Sequence, residues 1–584
     1  MKMKKLIAGM TAFLLICGAL PAAECAGINF EKLISASAAE ELEVVENGAT
    51  SDGFVYDIYG TKEWDDEKND YVIRTREYAV ITGYDGSESS IEIPAKIVGL
   101  PVTKIAEFAF SNNSVISSVK INENITAVGY GAFIGCENLS EINIPESVAY
   151  IESSTFSVCP KLTSLTIPDS VLSIGDSAFD GDSALTSIKL PKNLKTIDNS
   201  LFSGCGSLTS VNIPENVTSI GNNAFSGCTA LTEITIPDSV LSIGYGAFEG
   251  DSALTSIKLP KNLKTIDDSL FSGCGSLTSV NIPENVTSIG NDAFRGCTAL
   301  TEITIPSKVT SIGENAFAGC IHLTEANLPN GIKSIGCWAF GECSSLTEFT
   351  FPETVTSISD YTLYSCTSLT SVTIPNSIKK IGDGAFYNCI SLPEVDIPDS
   401  VKSIGACAFY SCESLKEITI PPSITSIPES AFDSCSALKK VNIPDSVTTI
   451  NAGSFQYCES LREITIPASV KQIGEKALGY NRFVLVDGAV RDGELTIYGH
   501  KGTAAETYAN ENDCTFVDLD APQTIAGDIN SDGKANIADA VLLQKYLLAA
   551  EKFTQAQYEA ADCNGDGSVD AFDMVSMRRI ITKK

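Results

Sequence analysis

Apolar residues recur along most of this chain in a fixed order with a 23-residue period. Phe110 and Phe133 begin a series that continues at every 23rd position to Leu478 and contains only phenylalanine or leucine. A proline series keeps the same period from Pro145 to Pro467. A pattern that repeats without a slip in register predicts a solenoid, in which stacked units share a continuous core.

The unit "LTSVTIPNSIKKIGDGAFYNCIS", which begins at Leu369, predicts the parts of one turn of that solenoid. In L-x-x-I-x-I the apolar residues alternate with polar ones, which indicates a short strand with one buried face. The proline lacks an N–H group and ends the strand. V-x-x-I-G then forms a return segment, and A-F-x-x-C forms a compact turn or 3₁₀ segment beneath the next strand.

The signature "IP…IG…AF…C…L" resembles the BspA-like leucine-rich repeat of bacteria, over about residues 79–515. The stretch "YAVITGYDGSESSIEIPAKIVGLPVTKIAEFAF" resembles the N-terminal cap of such arrays, and "LTIYGHKGTAAETYANENDCTFV" resembles their C-terminal cap. The resemblance implies a leucine-rich-repeat solenoid, with a short β-strand and a turn or 3₁₀ segment per 23-residue rung. It also implies that the strand face of the solenoid is presented to a partner.

A longer repeat lies within the first. Residues 167–235 and 236–304 are near copies that differ at six positions, among them Asp176 versus Tyr245 and Ser226 versus Arg295. None of the six lies on a predicted strand. A catalytic cleft rarely tolerates an insertion of three rungs, so the duplication favours an extended binding surface or a spacer.

The net charge and the N-terminal sequence indicate which partners and which cellular location to expect. The chain has 40 basic and 73 acidic side chains, and a formal charge of -33 disfavours binding to nucleic acid. Lys2, Lys4 and Lys5 precede a short apolar run that ends at Leu20. This pattern is typical of a secretory signal peptide, which would be cleaved after Ala23 or after the "ASA" at Ala36–Ala38, and we assign residues 1–38 to it. We therefore expect a secreted, extracellular protein without a membrane span.

Most cysteines follow the repeat. Of 19 cysteines, 13 occupy one repeat position between Cys136 and Cys458, and Asp182 and Asp251 take the same position in two rungs. The odd count and the absence of a CxxC pair favour a column of buried thiols over disulfides or a metal ladder.

The exposed strand positions form an acidic column, which is a tentative ligand face. Carboxylates on adjacent rungs would lie about 5 Å apart and could serve a retaining glycosidase or bind a cation. A solvated acidic stripe is the favoured alternative, because an open face without aromatic side chains lacks the dry pocket that tunes a catalytic acid. The column contains Glu302, Glu325, Glu348, Glu394 and Glu417.

Two 12-residue segments near the C-terminus predict calcium loops. "DINSDGKANIAD" begins at Asp528 and "DCNGDGSVDAFD" begins at Asp562. Each has oxygen ligands at alternate positions, a glycine for the sharp turn and a closing aspartate. Lys534 and Ser568 would bind through their main-chain carbonyl groups. We expect two Ca²⁺ ions, held by Asp528, Asn530, Asp532, Lys534, Asn536 and Asp539 in the first loop and by Asp562, Asn564, Asp566, Ser568, Asp570 and Asp573 in the second.

No helix precedes either loop, and the duplicated loop-plus-helix resembles a type I dockerin over residues 527–584. "TQAQYEAA" from Thr554 reads as the linking helix, with Thr554 and Gln557 at capping-box spacing. The resemblance implies docking onto a cohesin module of a scaffoldin, within a cellulosome. The matching cohesin-binding positions are Ile537, Ala538, Gln544 and Lys545 in one copy and Ala571, Phe572, Arg578 and Arg579 in the other.

The two copies differ at these positions, and neither has the Ser-Thr pair that is common in the family. Two equivalent binding modes are therefore not expected. Apolar contacts from Ile537 or Phe572 would suit the core of an interface.

The expected domain order is a signal peptide (1–38), an N-terminal cap (39–108), the repeats (109–480), a C-terminal cap (481–519), a linker (520–526) and an all-α dockerin (527–584). The leading hypothesis is a non-catalytic cellulosome component whose solenoid binds a protein or a plant-cell-wall polysaccharide. The alternatives are a polysaccharide-degrading glycoside hydrolase and a cell-surface adhesin.

Overall fold

The computed structural model describes residues 42–65, 67–68, 70–481, 490–491, 495–520 and 525–582. The predicted signal peptide lies outside the described residues. The chain divides after Val355 into two compact units. Both contain 23-residue turns of a β-solenoid, as the repeat predicts, and the second also contains the C-terminal helical domain.

Three antiparallel strands open the described chain: β1 (Glu43–Ala49), β2 (Phe54–Asp65) and β3 (Asp70–Tyr84). The end of β3 pairs in parallel with Leu100–Ile105, which in turn pairs with Ala127–Val128 of the repeats and, in antiparallel fashion, with Lys96–Ile97. This sheet covers the first rung, whose apolar edge would otherwise meet water.

The strand predicted from L-x-x-I-x-I forms in most rungs, with its middle residue pointing inward. Neighbouring strands pair in parallel, and each residue faces the equivalent residue of the next rung. Leu165, for example, faces Ile188. These strands are Ser90–Glu92, Ser118–Lys120, Glu141–Ile142, Ser164–Thr166, Ser187–Lys189, Ser210–Val211, Glu233–Thr235, Ser256–Lys258, Glu302–Thr304, Glu325–Asn327, Glu348–Thr350, Ser371–Thr373, Glu417–Thr419, Lys440–Asn442 and Glu463–Thr465.

The return segment V-x-x-I-G is predicted as a connection, but it forms a second parallel strand. Each strand is two residues long, and so the alternation that reveals longer strands cannot appear. These strands are Ala127–Val128, Tyr150–Ile151, Ser173–Ile174, Thr196–Ile197, Ser219–Ile220, Ser242–Ile243, Thr265–Ile266, Ser288–Ile289, Ser311–Ile312, Ser334–Ile335, Ser357–Ile358, Lys380–Ile381, Ser403–Ile404, Ser426–Ile427, Thr449–Ile450 and Gln472–Ile473.

The A-F-x-x-C segment forms consecutive hydrogen-bonded turns that carry the core of each rung. Phenylalanine rings from Phe110 to Phe340 stack on one another at centroid distances of 4.9 to 5.8 Å. The rings from Phe386 to Phe455 stack at 5.1 to 5.3 Å in the second unit. Each ring is shielded by its neighbours, so the stack is stabilised by the burial that an isolated unit could not achieve.

The 13 cysteines of the repeat position are buried and free, in agreement with the predicted thiol column. Each thiol that forms a described hydrogen bond donates to the carbonyl oxygen of the core phenylalanine or leucine in the preceding rung, as Cys159 does to Phe133 at 3.3 Å. Burial raises the pKa of the Cys136 thiol to about 12. The column therefore consists of neutral, satisfied side chains.

The last rung is covered by a β-α-β unit. Thr496–Gly499 pairs with Glu463–Thr465 and with Thr515–Asp518, and helix α1 (Ala504–Glu511) connects the two. The Tyr508 hydroxyl accepts from the Leu478 N–H at 2.9 Å and donates to the Leu478 carbonyl at 2.8 Å. Tyr480–Asn481 and Val490–Arg491 form a short antiparallel pair nearby in sequence.

The C-terminal domain contains α2 (Ile537–Leu547), α3 (Gln555–Ala561) and α4 (Ala571–Thr582). Its core is formed by Ile529, Leu543, Ala561 and Met577. The predicted capping box of the linking helix is present between Thr554 and Gln557. This helix ends at Ala561, directly before Asp562, so the expectation that no helix precedes either loop is wrong for the second loop. Within the described residues, no helix is long and apolar enough to cross a membrane.

Candidate calcium loops and docking faces

Each predicted calcium loop wraps its backbone around its own aspartates. In the first loop, the Asp528 carboxylate accepts from the N–H groups of Asp532 at 3.0 Å and Gly533 at 2.8 Å. The closing Asp539 accepts from the N–H groups of Asn530 and Asn536, both at 2.9 Å. These bonds tie the backbone of the loop to its first and last aspartates.

The second loop repeats this geometry at the equivalent positions. Asp562 accepts from the Asp566 N–H at 3.2 Å and the Gly567 N–H at 2.9 Å. Asp573 accepts from the Asn564 N–H at 3.1 Å and the Asp570 N–H at 2.8 Å. The recurrence indicates that the pattern of aspartate and glycine determines the loop conformation.

Glycine is needed at the sixth position of each loop. Gly533 has φ of 84° and Gly567 has φ of 81°, a backbone region that L-residues with side chains rarely adopt. The N–H groups of both glycines bind the first aspartate of the loop. The sharp turn therefore points that carboxylate toward the loop centre.

The donor set fits a hard divalent cation. Asp539 and Asp573 are completely buried, and no lysine or arginine in the described chain pairs with either. A buried carboxylate without a positive partner is costly, so a bound cation would compensate the charge. Alternate aspartate and asparagine oxygens, with the carbonyl groups of Lys534 and Ser568, are ligands that calcium prefers.

The carboxylates alone do not form the whole site. Among the described residues, no three histidine, cysteine, aspartate or glutamate side chains converge closely enough to hold a metal ion. The predicted ligand set also includes the side-chain oxygens of Asn530, Asn536 and Asn564. Burial, with help from Asp573 and Asp562, raises the pKa of the nearby Cys563 to about 11, which leaves a neutral thiol in the core.

The last residues of each loop also cap the helix that follows it. Asn536 caps α2 by accepting from the Ala538 N–H, and Asp539 binds back to the Asn536 N–H in a capping box. Asp570 accepts from the Phe572 N–H at 2.7 Å at the start of α4. A change in loop conformation would therefore be transmitted to the first turn of each helix.

The predicted cohesin-binding residues all lie on the surface. Ile537 is 74% exposed and Phe572 is 70% exposed, values that are unusual for large apolar side chains. The polar positions on the helices are exposed as well: Gln544, Lys545, Arg578 and Arg579, together with Ala538 and Ala571. Lys545 forms an ion pair with Glu551 at 3.6 Å.

The structure adds residues that the sequence reading did not name. Val541, Leu548 and Val575 are also exposed apolar residues on or next to these helices. Val541 lies one turn after Ile537, and Val575 lies almost one turn after Phe572. Spacing of i, i+3 and i+4 from the predicted residues would have identified them.

The acidic column takes the predicted exposed positions, with one difference. Glu302 lies directly opposite Glu325 in the strand register, and Glu348, Glu394 and Glu417 are likewise exposed. The strand expected at Glu394 does not form. Pro393 precedes it and lacks the N–H group that Thr209 and Thr186 use in the equivalent rungs, so the ladder is interrupted there.

A repeat solenoid joined to a small domain with two calcium-type loops defines the class of this protein. A family model described as "BspA type Leucine rich repeat region (6 copies)" matches residues 87–205, 150–278, 264–389 and 356–484, and a model of the Dockerin type I domain matches residues 526–582. The repeat matches cover well over half of the chain, which therefore belongs to the BspA-type leucine-rich-repeat family and carries a type I dockerin domain.

Solved structures of bacterial leucine-rich-repeat proteins are similar to this chain. One from Bacteroides ovatus is 28% identical, with 71% of this chain and 98% of that chain covered at a TM-score of 0.48. A leucine-rich cell surface protein from Faecalibacterium prausnitzii is 26% identical, with 74% and 95% covered at a TM-score of 0.30. A search of the curated proteins gave no match.

Type I dockerins bind calcium and imply a cohesin partner. Together, the repeat region and the dockerin support a cellulosome-type or cell-surface protein.

Proposed function

We propose that this protein is a secreted, non-catalytic cellulosome component. Two Ca²⁺ ions fold the dockerin, one in each loop, and the dockerin docks onto a cohesin of a scaffoldin. The solenoid then presents its strand face to a protein or a plant-cell-wall polysaccharide. The observation that carries this proposal is the pair of complete loops with buried closing aspartates, attached to a long repeat region.

In this proposal the calcium ligands are the loop residues predicted from the sequence. The chemistry of calcium is structural: it neutralises the buried carboxylates and holds each loop closed. Asp539 and Asp573 then keep the first turns of α2 and α4 in place, because each accepts two main-chain N–H groups. The exposed apolar residues on those helices are thereby held ready for an interface.

The first test measures capture of the full-length secreted chain on immobilised cohesin modules, with calcium or with a chelator. We expect capture only with calcium, and its loss in the Asp539→Ala/Asp573→Ala double variant. Glu302→Gln is the control, because it removes a carboxylate from the solenoid and leaves the dockerin unchanged. Capture that persisted in chelator, or that failed with every cohesin type, would contradict the docking function.

The second test separates a binding module from a glycoside hydrolase. The facing pair Glu302 and Glu325 is the observation that keeps the enzymatic alternative open. Both residues are exposed on a sheet, where water screens their charge, and so we expect binding without release of sugar. Release of reducing sugar from xylan, cellulose or pectin, abolished by Glu325→Gln, would establish the hydrolase instead. Binding to protein but not to glycan would support the adhesin.

A further inference from the structure

A concave site of about 640 Å³ lies on the strand face where the last rungs reach the C-terminal cap. Its volume is within the range of pockets that hold small ligands or a few units of a polymer. We call it the terminal strand site and define it by six of its lining residues: Thr419, Lys440, Asn442, Glu463, Thr465 and Tyr498.

Strand register places these residues in two rows. Thr419 faces Asn442 on the directly paired strand. In the same way, Thr465 faces Tyr498 on the cap strand that pairs with its own. Lys440 and Glu463 occupy the other row. Because each strand buries only its middle residue, both rows point to the same side of the sheet.

Tyr498 supplies the aromatic ring that the repeat sequence lacks on this face. It comes from the cap strand Thr496–Gly499, which extends the sheet by one strand beyond the last repeat. Most repeats place threonine or asparagine at this position, and the exceptions are Asp396, Lys258, Lys189 and Lys120. The cap has a half-buried tyrosine there instead. The tyrosine ring can therefore pack against the apolar face of a ligand ring, while the row of polar side chains beside it binds the hydroxyl groups that border that face.

The polar row beside the tyrosine is partly oriented in advance. The Asn442 side-chain amide donates to the Thr419 hydroxyl at 2.9 Å. The other N–H and the carbonyl oxygen of that side-chain amide have no partner among the described residues. Asn442 and the Thr465 hydroxyl can therefore donate to and accept from a ligand that lies across the strands.

The charges of the site favour a neutral ligand. Lys440 interrupts the acidic column, with Glu417 at 3.8 Å on one side and Glu463 on the next rung. A polyanion would meet both carboxylates, and a chain with a charge of -33 would repel it at longer range. An extended peptide cannot add as a strand here, because this is a face of the sheet rather than a free edge.

We propose that the terminal strand site binds a neutral glycan, with a sugar ring against Tyr498 and sugar hydroxyls on Asn442 and Thr465. This inference rests on the proposed role of the strand face and specifies both its ligand class and its position. It assigns no binding role to Glu302, Glu325 or Glu348.

The test uses the full-length calcium-loaded chain and isothermal titration with cellohexaose, xylohexaose and mannohexaose. We expect at least one to bind, and Tyr498→Ala to weaken its affinity at least about tenfold. Tyr498→Phe should retain most of the affinity, because the ring remains. Asn442→Ala should weaken binding, whereas Asn327→Ala, which removes an asparagine from the same strand position of a distant rung, should not.

Asn442 is exposed, so its variant keeps the test decisive if Tyr498→Ala fails to fold. No binding of any neutral hexaose would overturn the proposal, as would binding that ignores both Tyr498→Ala and Asn442→Ala. Preference for polygalacturonate or for an extended peptide would overturn the ligand class. Cohesin capture of the same samples is measured separately. A chain that fails to bind cohesin would refute the docking function, and the glycan titration would still test the terminal strand site.

Discussion

Two aspartates stand in the cysteine column, and they have the least favourable environment of any carboxyl group in the described repeats. Asp182 and Asp251 are completely buried. Oδ1 of Asp182 accepts from the Cys159 N–H at 2.7 Å, while Oδ2 has no partner among the described residues. Burial raises the pKa of each carboxyl group to about 9. These side chains are therefore neutral acids at physiological pH.

The consequence for stability has a definite sign. In the unfolded chain an aspartate releases its proton above its ordinary pKa of 3.8, whereas the folded chain keeps it until about pH 9. Between these two pH values the folded chain binds more protons than the unfolded chain. The contribution of Asp182 to the free energy of unfolding is therefore largest below about pH 4, and it falls as the pH rises toward 9.

We predict that Asp182→Asn/Asp251→Asn raises the free energy of unfolding at pH 8 by several kcal/mol and changes it little at pH 4, because each buried carboxyl group costs about 1.4 kcal/mol per pH unit between its unfolded and folded pKa. The amide can still accept from the N–H of the preceding cysteine, and its NH₂ can donate to the carbonyl of Phe156, the equivalent of the acceptors used by the thiols. Thermal unfolding followed across this pH range measures the difference. Asp180→Asn removes a partly exposed charge from the same rung, and a stabilisation as large as that of the buried pair would refute the explanation.

The two proposed docking faces of the dockerin come from equivalent positions of its two loop-plus-helix copies, but they differ in composition. One face presents Ile537 and Val541, with Gln544 and Lys545 beyond them, and the other presents Phe572 and an arginine pair. A cohesin surface that complements one of these faces cannot complement the other equally well.

We therefore predict that only one of Ile537→Ala and Phe572→Ala weakens cohesin binding substantially, by about tenfold or more, since hot-spot residues at an interface centre carry most of the energy. Affinities of the two variants for the captured cohesin, measured by surface plasmon resonance, give the answer. Val575→Ala and Val541→Ala should follow their neighbours on the same face. Equal small losses from both single variants would indicate two interchangeable binding modes.

At the scale of the whole molecule, the solenoid and the dockerin differ in what stabilises them. The solenoid is stabilised by stacked phenylalanines and strand ladders, whereas the dockerin has a small core around Leu543 and Met577. A core this small stabilises the fold only marginally, and metal ions bound to the folded loops would add to that stability.

We predict that calcium removal from the full-length chain abolishes the thermal transition of the dockerin and leaves that of the solenoid unchanged. Differential scanning calorimetry with calcium and with chelator distinguishes the two transitions, and far-UV dichroism reports the loss of α2 and α4. Asp528→Ala should reproduce part of the effect in calcium. A solenoid transition that shifted together with the dockerin would show that calcium acts outside the two loops.

The 69-residue duplication gives a second prediction at this scale. Excision of residues 236–304 joins Thr235 to Ile305, a junction equivalent to the natural one at Thr304. We expect the shortened chain to fold with a cooperative transition and to bind cohesin with unchanged affinity, because neighbouring rungs contact each other only locally. Aggregation of the shortened chain, or loss of cohesin capture, would show that these rungs do more than extend the array.

The solenoid, its strand register and the position of the calcium loops could all be predicted from the amino-acid sequence. Those features follow from local patterns: a strict 23-residue period, alternation within L-x-x-I-x-I, and aspartate and glycine at fixed loop positions. Ile537 and Phe572 are exposed, and their role in cohesin binding stays a prediction. In each case a residue's role depends on neighbours that lie close in sequence or one repeat away.

The remaining features depend on packing and burial that leave no pattern in the sequence. The two-residue second strands are too short to leave a pattern, and the interruption before Glu394 depends on a ladder that Pro393 cannot join. The neutral state of Asp182 follows from burial in the thiol column. The terminal strand site exists because the cap strand after the last repeat places Tyr498 beside Thr465, although the connection between them is longer than one repeat. Pairing across an irregular connection is fixed by the packing of the cap, which the repeat pattern does not encode.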